Sequence, residues 1–524
     1  MKTYQAIIAL LFVCFLAGVS IQGTEPGMIP VTVLSPEPPH TVAEIAPFDT
    51  ALVWSTTVGM QVNDIVVDNF DSDAYDEVAV ITQNGTLFLF DEDSTLLWQL
   101  KLGSTPHAMA AIDGTASDGK EILIGTDTGV IVVGADKFVQ MNMSLPEPVY
   151  AVTGAHLDGD SLEEVVVGCD DFYVYAFEID TTPLWSYLSN GMVRLLDAAD
   201  IDDDARTEIV AASEGRRFTL LQDTGIEVFN ETSPTAINVI ATGGLTDDVY
   251  LDVAYGNSNG TVRVFNSTGS FVYELQAVDS ITALTVGELL TASFRAELAL
   301  GTSQGNVRIY NSSGGELWNK NVTAQVNSIL FTNVSASTNS QVLVGSNQFN
   351  LYNATGWPTA ETTLFQFTGI MASGNLDNFG GEEYVVGTNA GVLNAYGRDF
   401  DSDRLADARE RLIEGTLYDD PDTDGENLDD GEEVLDYGTD PLLPDSDFDK
   451  LSDFAEVITH GTNPNEADSD LDLLTDWQEI YLGTDPNNAF TDADLLDDYE
   501  ENNITLTNPL MADSNDNDIN DDAD

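Results

Sequence analysis

Residues 445–456 read Asp-Ser-Asp-Phe-Asp-Lys-Leu-Ser-Asp-Phe-Ala-Glu. When Asp445 is counted as position 1, carboxylates stand at positions 1, 3, 5, 9 and 12, and a leucine stands at position 7. Alternate side chains can turn their oxygens toward one centre, the backbone carbonyl at position 7 can add another, and Glu456 can close the shell. Calcium takes about six to eight oxygen ligands in flexible geometry. The spacing therefore predicts a calcium loop and argues against a zinc or catalytic transition-metal site.

The same loop recurs on both sides of residues 445–456. Four full copies start at residues 399, 422, 445 and 468, each 23 residues after the last. Their predicted metal ligands are Asp399, Asp401, Asp403, Asp407, Glu410, Asp422, Asp424, Glu426, Asp430, Glu433, Asp445, Asp447, Asp449, Asp453, Glu456, Asp468, Asp470, Asp472, Asp476 and Glu479. Two weaker copies follow, with Asp492, Asp494, Asp498 and Glu501 in one and Asp513, Asn515, Asn517, Asp521 and Asp524 in the other. This period predicts an array of small stacked units over residues 399–524.

A short helix is predicted after each loop. In the fourth copy, Thr475 and Gln478 have the spacing of a capping box. Gly438, Gly461 and Gly483 stand where these helices are expected to end. A unit of this size cannot bury enough apolar surface by itself, so its order is expected to depend on metal and on its neighbours.

The acidic composition narrows the function classes. The 524-residue chain has 90 acidic and 17 basic residues, which give a formal net charge of −73. Nucleic acids and anionic membranes are recognised by basic surfaces, so neither is expected as a partner. Bound multivalent cations would neutralise much of this charge, and an acidic surface adapted to high salt is the alternative explanation.

The N-terminal segment reads as an export signal. Residues 1–23 have a lysine near the start, an apolar stretch and then small residues, which predicts a signal peptide, with a retained anchor as the alternative. Residues 24–47 contain six prolines and are predicted to be an extended linker. No later segment has the length and apolarity of a membrane span.

Residues 48–398 repeat at a longer period. Acidic or polar markers at 77, 121, 164, 208, 252, 297, 341 and 383 are 42 to 45 residues apart, and each precedes an apolar strand. A tight turn such as Asn84-Gly85 then leads to a second strand, and a third often carries Leu-Trp. Four strands per unit predict a β-propeller, with eight blades counted and seven as the alternative. Ala51-Leu-Val-Trp54 is expected to supply the outer strand that the last unit lacks, which would close the ring.

Three blade loops carry a shorter version of the calcium loop. The predicted ligands are Asn69, Asp71, Asp73 and Glu77, then Asp158, Asp160 and Glu164, then Asp200, Asp202, Asp204 and Glu208. His156 opens the second of these loops and is a poor calcium ligand, and the related loop of Asn375, Asp377 and Glu383 has Phe379 where the middle acid should stand. The alternative is that these loops are acidic turns in which Asp and Asn serve turn chemistry.

The array resembles the thrombospondin type 3 repeat in its prokaryotic, cysteine-free form, because the acidic loop is followed by Gly-Thr-Asp-Pro. That resemblance implies extracellular calcium binding and association with surface proteins. The family usually has glycine at position 6, where this chain has Arg404, Asn427, Lys450, Leu473, Leu495 and Asp518. Either the turn differs here or affinity is weakened. The blades are similar to FG-GAP repeats and, in their number and Leu-Trp strands, to quinoprotein-like propellers.

These observations predict a secreted or cell-surface calcium-binding protein. The propeller is expected to bind an extracellular protein or glycan, with the array as stalk or attachment module. The alternatives are an extracellular enzyme, either a calcium-dependent polysaccharide lyase or a quinoprotein dehydrogenase, and a dockerin-like role for the repeats. No convincing catalytic constellation is present, since Arg194, Arg206, Arg216 and Arg217 form the only basic grouping. The sequence leaves the oligomeric state open.

Some of ten Asn-x-Ser/Thr sequons are expected to carry surface glycans, given an export signal. They start at Asn84, Asn142, Asn230, Asn259, Asn266, Asn311, Asn321, Asn333, Asn353 and Asn503.

Overall fold

The computed structural model describes residues 49–523, except for 72, 117–118, 247–248, 291–294, 335–338, 363–366, 380 and 493. The signal peptide predicted at 1–23 and the linker predicted at 24–47 lie outside the described residues. No helix in the described part of the chain has a long enough apolar run to cross a membrane.

Strands β1 to β32 form eight antiparallel four-stranded sheets, one for each blade. Blade 1 contains β2 (Val62–Asp68), β3 (Glu77–Thr82), β4 (Thr86–Phe90) and β5 (Leu96–Lys101), and blade 2 contains β6 (Pro106–Ile112), β7 (Glu121–Thr126), β8 (Gly129–Val133) and β9 (Val139–Ser144). Blade 3 contains β10 (Val149–Ala155), β11 (Glu164–Cys169), β12 (Tyr173–Phe177) and β13 (Pro183–Leu188), and blade 4 contains β14 (Val193–Ala199), β15 (Glu208–Ser213), β16 (Arg217–Leu221) and β17 (Glu227–Thr232).

The second half of the ring repeats this plan. Blade 5 contains β18 (Ile237–Gly243), β19 (Asp252–Asn257), β20 (Thr261–Phe265) and β21 (Phe271–Gln276), and blade 6 contains β22 (Ile281–Gly287), β23 (Glu297–Thr302), β24 (Asn306–Tyr310) and β25 (Glu316–Asn321). Blade 7 contains β26 (Ser328–Thr332), β27 (Gln341–Gly345), β28 (Phe349–Tyr352) and β29 (Pro358–Thr362), and blade 8 contains β30 (Phe367–Gly374), β31 (Glu383–Thr388), β32 (Val392–Asp399) and β1 (Asp49–Thr57).

The N-terminal strand closes the ring. Strand β1 pairs antiparallel with β32, and their register places Asp49 opposite Asp399. The innermost strands of successive blades contact one another around the ring, including β2 with β30. The eight-bladed propeller and its closure by residues 51–54 are therefore confirmed, and the closed ring leaves no free blade edge at the junction.

The strand pattern explains why the blades stack. The second strand of each blade is buried along its length, because it packs on both faces against neighbouring blades. Ile81 and Leu89 of blade 1, for example, share a cluster with Ile122 and Ile124 of blade 2. The outer strands alternate between exposed and half-buried residues, as in β5 and β13. The core thus lies between blades, and each blade needs its neighbours.

The tryptophans of the outer strands join neighbouring blades. Trp185 of blade 3 donates its indole N–H to the carbonyl of Asp223 at 2.7 Å, in the outer hairpin of blade 4. Gly225 of that hairpin lies beneath the ring, and a Cβ there would lie 2.5 Å from the Trp185 Cδ2 atom. Trp54 and Trp318 make the equivalent bond to the next blade, at 2.8 Å and 3.1 Å.

The Trp185→Ala substitution is expected to destabilise the propeller by about 2–4 kcal/mol, because it removes a half-buried ring and leaves the Asp223 carbonyl without its donor. Trp357→Ala is the matched control, since Trp357 is 66% exposed. The thermal unfolding midpoint, followed by circular dichroism, should fall for the first variant and stay near wild type for the second. Equal midpoints for the two variants would contradict the bridging role.

The array consists of acidic loops followed by helical turns. The α-helical segments are α1 (Asp407–Arg409), α2 (Asp430–Glu432), α3 (Asp476–Leu482) and α4 (Asp498–Glu500), and π-helical turns cover Glu410–Glu414, Glu433–Tyr437, Ala455–His460 and Glu501–Thr505. A 3-10 turn covers Asp521–Ala523. The predicted short helices are confirmed. Thr475 and Gln478 form the capping box that the sequence predicts. Gly438, Gly461 and Gly483 end their helical turns with φ between 70° and 88°.

Strand direction defines two faces of the ring. The upper face is where the innermost strands begin. The lower face carries the loops between the first and second strands of each blade, together with the outer hairpins. Strand β32 runs from the upper to the lower face and ends at Asp399, where the array begins. The array therefore leaves the propeller at the same face as the acidic blade loops.

Candidate metal centres

Each of the four full acidic loops closes on its own first carboxylate. The Oδ2 atom of Asp445 accepts the backbone N–H of Lys450 at position 6, over 2.9 Å. Asp468 accepts the N–H of Leu473 in the same way, over 2.8 Å. Asp422 and Asp399 repeat this contact in their loops. The position-1 carboxylate thus sets the loop curvature before any ion is considered.

Five of the six position-6 residues adopt the left-handed conformation that glycine usually provides. The φ angles are 89° at Arg404, 83° at Asn427, 91° at Lys450, 88° at Leu473 and 65° at Asp518. Of the two explanations raised by the sequence, the structure excludes a different turn at these positions. Holding a residue with a Cβ in this region costs about 1–2 kcal/mol, which the loop must recover elsewhere.

The Leu473→Gly substitution is expected to strengthen calcium binding of its loop about fivefold, because it removes about 1 kcal/mol of backbone strain. Leu473 is 70% exposed, so little packing is lost. Leu442→Gly is the control, since Leu442 is also exposed but has no positive φ; it should weaken the fold by increasing the freedom of the unfolded chain. Calorimetric titration should show a higher calcium affinity for L473G and a lower one for L442G than for wild type. A calcium affinity of L473G below that of wild type would contradict the strain argument.

The position-9 carboxylates fasten the loops. Asp453 accepts the backbone N–H of Ser446 over 2.9 Å and its hydroxyl over 2.7 Å. The same double contact joins Asp430 to Thr423, Asp476 to Ser469 and Asp498 to Thr491. Both carboxylate oxygens therefore hold the loop entrance, in addition to the ligand role that the spacing predicts. The sequence analysis missed the recurring serine or threonine at position 2, although its period of about 23 residues was visible.

Carboxylate oxygens at positions 3 and 12 are buried and have no hydrogen-bond partner among the described residues. At position 3 they belong to Asp401, Asp424, Asp447, Asp470 and Asp492, and at position 12 to Glu410, Glu433, Glu456, Glu479 and Glu501. All five glutamates are fully buried. A buried carboxylate oxygen without a partner is strongly unfavourable in a folded protein. Its recurrence at the same two positions of five loops indicates that each loop is shaped around a cation.

The electrostatics of the loops point the same way. Burial, followed by the charges of Asp447 and Asp449, raises the pKa of Glu456 to about 8. Burial and neighbouring carboxylates raise the pKa of Glu410 and that of Glu479 to about 9. Within each loop, the ionised glutamate and its neighbouring aspartates would repel one another, and a divalent cation among them would relieve that repulsion.

In the first three loops, a threonine directly after the glycine that ends the helical turn orients the position-12 glutamate. The Thr462 hydroxyl donates to Glu456 Oε1 at 3.2 Å, and Oε2 is the oxygen left without a partner. Thr439 holds Glu433 in the same way at 3.1 Å, and Thr416 holds Glu410 at 3.3 Å. The Gly-Thr pair of these three loops therefore positions a ligand as well as ending the helix, a role that the sequence analysis did not assign. In the fourth loop, Thr484 donates to the Glu479 backbone carbonyl instead.

Position 5 links each of the first four repeats to the next. Asp449 Oδ2 accepts the backbone N–H of Trp477 at 2.8 Å, 28 residues later in the following loop. Asp403, Glu426 and Asp472 make the same contact with the next repeat, at 2.8 Å, 2.9 Å and 3.1 Å. Asp403, Glu410 and Asp430 also bring possible ligand atoms from two loops within 4.8 Å of one another. The loops are therefore coupled neighbours and not independent units.

Among the three predicted blade sites, the Asp200 loop has the backbone of an array loop. The Asp200 carboxylate accepts the N–H groups of Asp204 at 3.1 Å and Ala205 at 2.9 Å. Ala205, at position 6, has φ of 71°. Asp200, Asp202 and Glu208 bring ligand atoms within 4.8 Å of one another. The structure thus assembles three of the four predicted ligands, while Asp204 accepts the backbone N–H of Arg206.

The other two blade loops gather acids that the sequence analysis did not include. Asp73 and Glu77 cluster with Asp91 and Glu92 of the outer hairpin of the same blade. Glu77 and Glu92 each have a buried oxygen without a partner, and burial is the main cause that raises the pKa of each to about 7. Asn69 instead donates its amide to the Asp73 carbonyl at 2.9 Å. The sequence did contain a signal for these added ligands, because an acidic residue, Asp91, directly follows the third strand of the blade.

The His156 loop follows the same plan. Asp158 and Glu164 cluster with Glu178 of the outer hairpin of blade 3. The His156 ring nitrogen lies 3.0 Å from the Leu162 carbonyl, and Asp160 accepts the Leu162 backbone N–H at 2.8 Å. Two of the three predicted ligands thus come together with one new carboxylate.

Comparison with known proteins supports both parts of the chain. The bacterial TSP3 repeat family matches residues 422–444 and 474–489. The computationally designed Ika8 protein matches with a TM-score of 0.52 and 16% identity, over 66% of this chain and 99% of that chain. Sqt1 from Saccharomyces cerevisiae matches with a TM-score of 0.54 and 15% identity, over 67% of this chain and 99% of that chain. Both likenesses concern the fold alone. No curated protein matches the sequence.

Proposed function

We propose that this eight-bladed propeller with C-terminal bacterial TSP3 repeats is an extracellular calcium-binding protein, whose repeats form a calcium-ordered stalk for the propeller. The observation that carries the proposal is the set of buried, unpartnered carboxylate oxygens at positions 3 and 12 of five successive loops. Hard oxygen donors in this number suit calcium better than softer metals. The repeat family and the predicted signal peptide support a location outside the cell.

Within each of the four full array loops, the first, third, fifth and twelfth residues would hold the ion. The position-1 carboxylate shapes the loop, and in the first three loops the threonine of the Gly-Thr pair presents the position-12 oxygen. Strained position-6 residues oppose tight binding, which fits extracellular calcium modules with dissociation constants of about 10⁻⁴–10⁻³ M. In the blades, the hairpin acids Asp91, Glu92 and Glu178 would complete the sites.

We place the partner surface on the upper face, away from the stalk. In blades 1 to 6, the second residue of the innermost strand lies at a β-bulge, and it stands near the upper face because the strand begins there. In blades 2 to 4 these residues are His107, Tyr150 and Arg194. The His107 and Tyr150 rings stack at 4.1 Å between centroids, and the Arg194 guanidinium lies 4.3 Å from the Tyr150 centroid.

This stack breaks the symmetry of the ring. The equivalent residues in blades 1, 5 and 6 are Asn63, Asn238 and Thr282, which are small and neutral. A cavity of about 420 Å³ opens between blades 4 and 5 and is lined by Arg194, Glu214 and Asn238, among others. The two charged residues of the wall, Arg194 and Glu214, pair with each other at 3.1 Å, so the wall has no net charge. A wall with donors, acceptors and apolar atoms suits a saccharide unit, so we favour a glycan over a protein as the partner.

A binding role is proposed in preference to catalysis, because the arginine group noted in the sequence is engaged. Arg194 pairs with Asp170 and Glu214 at 3.1 Å, Arg206 with Asp223 at 2.6 Å, and Arg217 with Glu227 at 2.8 Å. A lyase acting on anionic sugars would need free cationic groups beside its base.

Calcium titration of the full-length protein by calorimetry tests the calcium part of the proposal. Hydrogen exchange measured in calcium and in magnesium should show which residues gain protection. We expect residues 422–523 to be protected in calcium and not in magnesium. If neither a saturable heat change of either sign nor a gain of protection appears at millimolar calcium, the calcium proposal is wrong.

A glycan array tests the partner surface. Wild-type protein and the Tyr150→Ala variant would be compared, with Asn63→Ala as the control at the equivalent position of blade 1, two blades away. Retention of a glycan by wild type and by N63A, and its loss in Y150A, would support the upper face as the binding surface. Equal retention by all three proteins would place the glycan site elsewhere.

A further inference from the structure

The lower-face loop of blade 8 is built like the metal loops but differs in its contents. The backbone N–H of Leu376 donates to Glu383 Oε2 at 2.9 Å, as Ile201 does to Glu208 in blade 4. Asp377 and Glu383 are 2% and 4% exposed. The loop therefore encloses two buried carboxylates, while Phe379 stands where the middle acid would be.

A guanidinium from the array reaches this loop. Arg411 follows the first acidic loop of the array, and its Nη1 atom lies 3.0 Å from Asp377 Oδ2 and 3.4 Å from the Asp377 carbonyl. The guanidinium carbon lies 4.2 Å from the centroid of the Phe379 ring, and Tyr418 packs against that ring at 4.9 Å. The cation thus has both a carboxylate and an aromatic face as partners.

We propose that Arg411 serves as the cation of the blade 8 loop, so that this loop binds the first repeat of the array where its counterparts are shaped for a metal ion. The phenylalanine that removes the metal pattern is the residue that supports the guanidinium. In the blade 8 loop, a side chain of the same protein thus takes the place that a divalent cation would take in the related loops. We call this contact between Arg411 and the blade 8 loop the latch, and it needs no calcium.

Three further observations show that the first repeat packs against the strands that close the ring. Ala406 and Ala408 are fully buried in a cluster with Val53, Trp54 and other propeller residues. Arg398 of strand β32 donates its Nε–H to Asp407 at 2.7 Å. The first residue of the loop, Asp399, is also the last residue of β32 and lies opposite Asp49. The first repeat is therefore a part of the propeller, and the stalk proper starts after it.

The test is the thermal unfolding of full-length variants in excess EGTA. Arg411→Ala should lower the midpoint by about 5 °C or more, because it leaves a buried carboxylate without its cation. Arg409→Ala is the matched control, since Arg409 pairs only with Glu414 of the same repeat among the contacts described, at 2.8 Å. It should change the midpoint by less than half as much.

A double variant separates the charge pair from simple misfolding. In R411A the buried Asp377 carboxylate has lost its cationic partner. Adding Asp377→Asn removes that negative charge, so the double variant should be more stable than R411A alone. Hydrogen exchange should locate the faster-exchanging amides of R411A in β1, β32 and residues 400–414. Equal midpoints for R411A and R409A, or a double variant less stable than R411A, would overturn the latch.

The inference does not depend on the proposed calcium sites. Because the measurement is made in chelator, failure of the calcium titration would leave it unchanged. Conversely, if the R411A loss seen in calcium disappears in EGTA, the latch requires metal and the inference is wrong.

Discussion

Removal of calcium with EGTA is expected to unfold residues 422–523 while the propeller and the first repeat stay folded. The interior of these repeats explains the size of the effect. Leu428 and Leu474 are the large apolar side chains that are fully buried in the described part of this segment, whereas Glu433, Glu456, Glu479 and Glu501 are all fully buried. Without a cation the buried groups repel one another, and the apolar surface is too small to oppose that repulsion.

The exposed residues lead to the same expectation. Phe448 and Tyr481 are 72% and 79% exposed, so these two aromatic side chains contribute little burial. Hydrogen exchange followed by mass spectrometry is the measurement, because it reports array and propeller peptides separately. Amides of residues 422–523 should exchange within the shortest labelling time in EGTA and become protected after calcium, but not magnesium, is restored. Protection that survives in EGTA would show that packing alone orders the repeats.

The Glu456→Gln substitution is expected to lower the calcium affinity of its loop by about 100-fold, or about 2.7 kcal/mol. Glutamine keeps the size of the side chain and its bond from Thr462, but it removes the charge of a fully buried ligand. The effect should spread to both neighbours, because Asp449 binds the next repeat and Phe454 donates its N–H to Glu426 of the previous one.

Calorimetry and hydrogen exchange would measure this effect together. The variant should bind at least one calcium ion fewer at a fixed millimolar concentration, and residues 449–482 should lose protection. Glu466→Gln is the matched control, since Glu466 is exposed and lies outside the loops; it should bind as many ions as wild type. Equal stoichiometry and affinity for E456Q and E466Q would show that position 12 is not a ligand.

The markers that revealed the blades have a structural role that explains their regularity. Glu77 Oε2 accepts the backbone N–H groups of Phe70 and Asp71, at 2.6 Å and 3.0 Å. Asp252 accepts two N–H groups in the same way in blade 5, which has lost the metal pattern. A buried carboxylate at the start of the second strand thus holds the lower loop in place whether or not that loop can take a metal.

The sequence by itself determined the eight blades, the closing strand, the period of the array and the ligand spacing, because each of these features is local. Strand alternation, tight turns and a 12-residue loop are encoded by neighbouring residues, so their periods can be read directly. The turn at position 6 stayed open at the sequence level, because the residues found there do not favour the left-handed conformation; the structure shows that conformation at five of the six positions.

Only the tertiary structure decided which distant groups complete each site. Glu92 joins Glu77 because β-strand pairing brings a hairpin 15 residues away beside the loop, and Asp449 meets Trp477 because consecutive repeats stack. Arg411 reaches Asp377 across 34 residues because the first repeat packs against blade 8. Such contacts depend on the arrangement of whole elements in space, and local spacing carries no record of that arrangement.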